Sequence, residues 1–280
     1  MVITPDILDL PCRLQNGVKC FELVAEPVKR EILPGLYINE WGYNGSIPVP
    51  TIQVDCGDCV NIRVTNHLTG ATSIHWHGLD VPNMMDGVPG IEPSPKIEPG
   101  ELPLREHICI THMYHTHVNA PIQQMMGLGG AFIILNRRRN NSIQRDYYLM
   151  LQEFYVKGLM TREITPGTYN FDPIWHEFNF YTINGRCFQY PNPLQVKMGE
   201  NVRIRLANLG HDAHPIHIHW HLFVVSASDG NIIPTPNWLI TLHLVKHTTW
   251  NSQQLTQKIR EESECSSLLP IEDRHKLFFF

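Results

Sequence analysis

The 280-residue sequence has no apolar run near the ~18 residues that a membrane-spanning helix needs, which excludes such a span. Its first residues, MVITPDILDLPCRLQNG, lack a basic segment followed by an apolar one. No signal peptide is visible there, so the chain as written is expected in the cytoplasm unless a leader lies outside it. Positive charge is short: 22 Lys and Arg stand against 27 Asp and Glu, a net charge of −5, which makes nucleic acid an unnatural partner. The run Arg137-Arg138-Arg139 is isolated between two halves of the chain and reads as a solvated linker. Cysteine occurs seven times, an odd and scattered set that makes no disulfide framework. Cys56-Gly57-Asp58-Cys59 has the spacing of half a zinc site, but no second such pair follows, and ordinary hairpin residues are expected there. A period of 3.6 residues is almost absent, which argues against a helical fold.

What is present is histidine in clusters. His214-Pro215-Ile216-His217-Ile218-His219-Trp220-His221 places four imidazoles in eight residues, against 16 in the whole chain. Ile216, Ile218, Leu222, Phe223, Val224 and Val225 mark this stretch as a buried strand. Residues i and i+2 of a strand share a face roughly 6.6 Å apart. His217 and His219 are therefore expected to point the same way, with Ile218 opposite. A bare imidazole pair at a core is costly without partners, and a metal ion satisfies several at once.

The pattern occurs twice. IQVDCGDCVNIRVTN (52–66) and LQVKMGENVRIRLAN (194–208) match without a gap at an offset of 142, with seven of fifteen positions identical. The same offset carries His75 onto His217 and His77 onto His219. Two copies are too few for a solenoid, so the chain is read as two related domains.

Short alternating strands punctuated by turns, such as Asn44-Gly45 and Asn184-Gly185, predict an all-β chain of two tandem β-sandwiches. The expected division is domain one over 1–136, a linker over 137–145, domain two over 146–240 and an atypical tail over 241–280. From about His247 the alternation fails and a charge run appears (Lys258-Ile259-Arg260-Glu261-Glu262). The tail is expected to take no part in the second sandwich, leaving an unpaired sheet edge and poor solubility.

Domain one supplies His75-Trp76-His77 and Tyr114-His115-Thr116-His117; domain two supplies His214, His217 and His219. Imidazole suits copper, zinc, iron and nickel, and seven candidate ligands are too many for one ion.

These motifs resemble those of the multicopper oxidases, the laccase-like enzymes. The resemblance rests on His75-Trp76-His77-Gly78, on Tyr114-His115-Thr116-His117 followed by Gly127-Leu128-Gly129-Gly130, and on HPIHIH at 214–219. The strings YNGSIPVPTIQV and HWHGLDVPNMMDGVPG extend it over about residues 18–235. It implies the cupredoxin-like Greek-key sandwich, a mononuclear type 1 copper that takes electrons from a substrate, and a type 2/type 3 trinuclear cluster that reduces dioxygen to water. By position, His75 and His217 match type 2 ligands, His77, His115, His117 and His219 match type 3 ligands, and His214 matches a type 1 ligand. Asp86 matches an acid that helps protons reach the cluster, while its place in an Asp-Gly turn equally suits turn capping. The implied partners are dioxygen and a small reductant, phenol-like or a metal ion. The cluster forms either within one chain or between subunits of a ring, as in two-domain relatives that are homotrimers.

The family's final His-Cys-His-x3-His motif is absent. Cys265 lies between Glu264 and Ser266, and His243 and His247 have no cysteine between them. A blue copper site needs a thiolate with two histidines, so the type 1 site is in doubt and the second sandwich is expected to be incomplete. Trp220 stands where a small glycine usually follows, and the approach Leu104–Met113 is short. Nothing after about Asn237 resembles the family. Together these departures point to a truncated or frameshifted product. The functional reading is an oxidoreductase of doubtful activity; the alternative is a non-catalytic copper-binding remnant. A zinc hydrolase is a weaker third reading, because no general base is evident.

Overall fold

A computed structural model describes residues 1–99, 101–105, 111–135, 142–159, 164–175, 177–219, 221–229, 231–244, 252–258 and 275–277. Strands dominate, and the one α-helix among the described residues is the six-residue turn Ala120–Met125.

Domain one is two sheets packed face to face. One sheet orders the strands Gly167–Tyr169, Leu36–Tyr43, Val18–Leu33, Cys59–Asn66 and Glu101–Arg105; the other orders Ile52–Asp55, Gly129–Leu135, Thr111–His115 and His75–His77. Alternation explains the core between them. Phe21, Leu23 and Ala25 face inward from the long second strand, and Ile52, Val54, Trp76, Tyr114, Phe132 and Ile134 meet them from the other sheet. Tyr114 satisfies its buried hydroxyl by donating to the Pro50 carbonyl at 2.6 Å.

Domain two repeats the plan. The strand Asn201–Asn208 lies at the 142-residue offset from Cys59–Asn66, end for end. Each copy pairs in parallel with a strand of its own half, Val18 opposite Cys59 in the first and Arg145 opposite Val202 in the second. The tail departs from expectation. Ser252–Lys258 inserts between Asn201–Asn208 and Phe223–Ser228, antiparallel to both, and His275–Leu277 pairs with Leu194–Val196. An edge strand of unpaired amides takes any extended partner, and SQQLTQK carries a single apolar residue, so hydrophobic alternation could not announce it.

The two halves bury surface against each other. Tyr148, Met150, Ala207 and Leu209 of the second pack on Met113, Ala131 and Ile133 of the first. Below them Ile32, Leu36 and Ile38 meet Phe154, Phe171 and Phe180. Arg30 clasps the junction by donating to the carbonyls of Asn184 and Gly185, each at 2.6 Å. Gly185 has φ +70°, and a Cβ there would lie 2.0 Å from the Arg30 guanidinium, so the turn needs glycine on both counts. Burial pushes the neighbouring Glu40 carboxyl up to about 8 in spite of Arg30. Cys56 is disulfide-bonded, against the expectation of a plain hairpin residue. That removes it as a thiolate ligand, so Cys56 and Cys59 are not half of a zinc site.

Candidate metal centre

The antiparallel register sets His75 directly opposite His115, with Trp76 opposite Tyr114 and His77 opposite Met113. The pleat sends Trp76 and Tyr114 into the core and the histidines out of the other face. Ligand atoms of His75, His77 and His115 all lie within 4.8 Å of one another, the one such group among the described residues. His117 joins them at the rim, its ring 5.0 Å from that of His75 and 5.4 Å from that of His115, though the residue itself is exposed. The Ser73 hydroxyl holds its backbone by accepting from the His117 amide at 2.9 Å.

Hydrogen bonds orient the rings. His75 Nδ1 lies 2.8 Å from the Asp86 carbonyl oxygen and 3.3 Å from its carboxylate. A proton on Nδ1 satisfies these acceptors and leaves Nε2 to face the cluster. Asp86 is brought there by its turn, since Gly87 at φ +79° runs so close to Ile74 that a Cβ would meet the Ile74 carbonyl at 1.7 Å. Asp86 thus ends the Asn83–Met85 turn and also faces His75. His77 Nδ1 is 3.2 Å from His115 Nε2.

Three of the four rings are held neutral by their surroundings. Burial, reinforced by His75, His112 and His117, lowers His77 to about 4. Burial holds His115 well below the usual imidazole range, and partial desolvation of the cluster-facing ring, with His75 beside it, lowers His117 despite its exposed rim. Neutral imidazoles offer lone pairs, which is the state metal binding requires.

Domain two carries its histidines differently. His217 ends the strand His214–His217, and its Nδ1 bonds the Ile240 carbonyl at 2.8 Å, the counterpart of His75 on the Asp86 carbonyl. His219 follows in a turn beyond the strand, with its ring 4.9 Å from that of His217 across buried Ile218. Neither joins the close group in domain one among the described residues. His214 Nε2 lies 3.1 Å from the carboxylate of Glu153, a fully buried side chain that also accepts from the His211 and Asp212 amides. Trp220, His247 and Cys265 lie outside the described residues, as does 106–110 in the approach to Tyr114.

Gln124 and Glu153 were not foreseen. Gln124 Nε2 sits 2.8 Å from His115 Nδ1. A glutamine beside a glycine-rich loop gives no sequence signal, but Glu153 does: a carboxylate at the end of YYLMLQEF must find partners in a buried strand.

The chain belongs to the multicopper oxidases: two multicopper oxidase family models match it, over residues 26–139 and 160–256, together more than half its length. The second match runs past Asn237, so the tail resembles the family further than the motifs alone indicated. A multicopper oxidase of Staphylococcus aureus is 36% identical over 143 residues, 49% of this chain and 31% of that protein. Laccase-1 of Cryptococcus neoformans var. neoformans is 28% identical over 257 residues, 77% of this chain and 40% of that protein. The chain therefore spans under half the length of each. The blue copper oxidase of Nitrosomonas europaea superposes with a TM-score of 0.71 at 27% identity, over 85% of this chain and 75% of that one.

Proposed function

We propose that His75, His77, His115 and His117 hold copper, and that His217 and His219 of a second copy complete the cluster in a ring of identical subunits. The observation that carries this is the approach of three imidazole ligand atoms to within 4.8 Å of one another. The donor set fits the metal: imidazole nitrogens, kept neutral at His77, His115 and His117, with the His75 and His217 rings fixed from behind by carbonyls. The reading assigns His75 and, from the second copy, His217 to the type 2 ion, and His77, His115, His117 and His219 to the type 3 pair. Copper bound there supplies coupling of the oxidation of a small reductant to the reduction of dioxygen to water. The protein's own part is to orient and to exclude water. Asp86 holds the His75 Nδ1 proton, and Trp76 and Tyr114 close the floor.

Exposed apolar side chains support a subunit contact. Trp238 and Ile240 flank the carbonyl that holds His217, and Met84 and Ile91 stand in the loop that carries Asp86. His214 faces the Glu153 carboxylate, and the sequence lacks the His-Cys-His motif that supplies the type 1 thiolate. That favours copper binding with little laccase-type turnover, because the fast route for electrons needs the thiolate. The test is oxygen uptake by the copper-loaded chain with a phenol or cuprous ion as reductant. We expect retained copper and uptake near background. Sustained uptake abolished by His217→Ala overturns the low-turnover reading.

A further inference from the structure

We infer that Gln123 is a positioning residue of the domain-one site: its buried amide sets where His117 stands relative to His75, a task that the β ladder does not reach. This role presupposes that His117 ligates copper, as proposed above.

The ladder between the two histidine strands ends at the pair His75 and His115. Beyond that pair, side chains join the segments instead. The Ser73 hydroxyl accepts from the His117 amide at 2.9 Å, and Thr72 Oγ1 lies 3.3 Å from Thr116 Oγ1. Gln123 reaches this place from the helix Ala120–Met125. Its Oε1 accepts from the Thr72 hydroxyl at 2.8 Å and the Thr116 hydroxyl at 2.9 Å, and its Nε2 donates to the Ala71 carbonyl at 2.9 Å. Thr72, Thr116 and Gln123 are all buried. One amide therefore ties the segment that leads into His75 to the residue between His115 and His117.

The donor and acceptor count fits one orientation of that amide. Each hydroxyl has one proton to give, and the amide oxygen has two lone pairs to receive them. Reversing the amide would set Oε1 against the Ala71 carbonyl at 2.9 Å, acceptor against acceptor. Thr116 Oγ1 passes the restraint on, since it accepts from the Val118 amide at 3.2 Å, on the far side of His117. Without the amide, two buried hydroxyls and a buried carbonyl lose partners, and the segments part to find others. His75, His77 and His115 stay in register through the ladder. His117, whose ring stands 5.0 Å from that of His75, has no ladder partner there and moves with Thr116.

The test uses the full chain and Gln123→Met, which keeps the volume and removes all three bonds. In the metal-free protein, hydrogen exchange of the His117 amide should be about tenfold faster than in wild type, the worth of one hydrogen bond. Copper(II) affinity, measured in competition with glycine, should fall about tenfold. In a His117→Ala background the same substitution should cost no further affinity, because the ligand it positions is gone. Gly185→Ala, which strains the domain junction instead, should leave copper affinity unchanged. If Gln123→Met does not fold, Thr116→Val removes one hydroxyl at constant shape and should give about a threefold loss of affinity. Unchanged affinity in the folded variant, an equal further loss in the His117→Ala background, or an equal loss in Gly185→Ala would each overturn the positioning role. His117→Ala alone judges the reading beneath it: unaltered copper affinity there sinks His117 as a ligand, while the exchange rate, which needs no metal, still reports whether Gln123 holds the segment.

Discussion

Replacing His77 with leucine in the metal-free protein should remove a defined part of an acid instability that the site builds into domain one. Burial lowers His77 from 6.5 to about 4. A base with a depressed folded pKa is protonated more readily in the unfolded chain, so stability is lost as pH falls from 6.5 towards 4. Between pH 7 and pH 5 those two values give about 2 kcal/mol from His77 alone. His115 and His117 act in the same direction. The assay is urea unfolding at the two pH values, with metal removed throughout. Wild type should lose at least that amount more than His77→Leu between pH 7 and pH 5. Equal pH slopes would show that His77 is solvated or charged, and would refute the argument that burial keeps the ligands neutral.

Three other changes probe the scaffold. Glu40→Gln should gain stability over wild type with a pH signature set by the rise from 4.5 to about 8: near zero at pH 4.5, growing to pH 8, then flat in denaturant titrations. Gly185→Ala should destabilise by roughly 2 kcal/mol or more through the Arg30 collision and its positive φ, whereas Gly17→Ala, with φ +79° and open space around it, should cost about 1 kcal/mol. Leu255→Pro removes a ladder amide from a strand paired on both sides, opposite Ile204 and Val225. It should raise aggregation on heating measured by light scattering, while an unchanged profile would mean Ser252–Lys258 contributes nothing to the sheet.

The fold was legible where alternation and repetition spoke. The 142-residue offset located Asn201–Asn208 from Cys59–Asn66, and the parity of His75, Trp76 and His77 separated cluster from core. The strand Ser252–Lys258 was not legible, because its pairing is driven by backbone hydrogen bonding and its side chains are mostly Gln, Ser and Thr. Nor was Gly167–Tyr169, which leaves the second half of the chain to pair with Leu36–Ile38 in the first sheet. For the site, spacing found the ligand candidates but not what orients them. The Asp86 carbonyl on His75, the Ile240 carbonyl on His217 and the Gln124 amide on His115 come from loops and a short helix whose approach only tertiary packing decides. The partner of His214 illustrates the same limit, since the pairing with Glu153 spans 61 residues.

The central claim is that domain one of this chain holds copper through its clustered histidines. Equilibrium dialysis against buffered copper(II), followed by a metal count per chain, tests it on wild type, on the triple variant His75→Ala/His77→Ala/His115→Ala and on His214→Ala. The account predicts tight copper in wild type, its loss in the triple variant, and retention in His214→Ala, which lies in the other domain. A triple variant that folds and binds as much copper as wild type would contradict it.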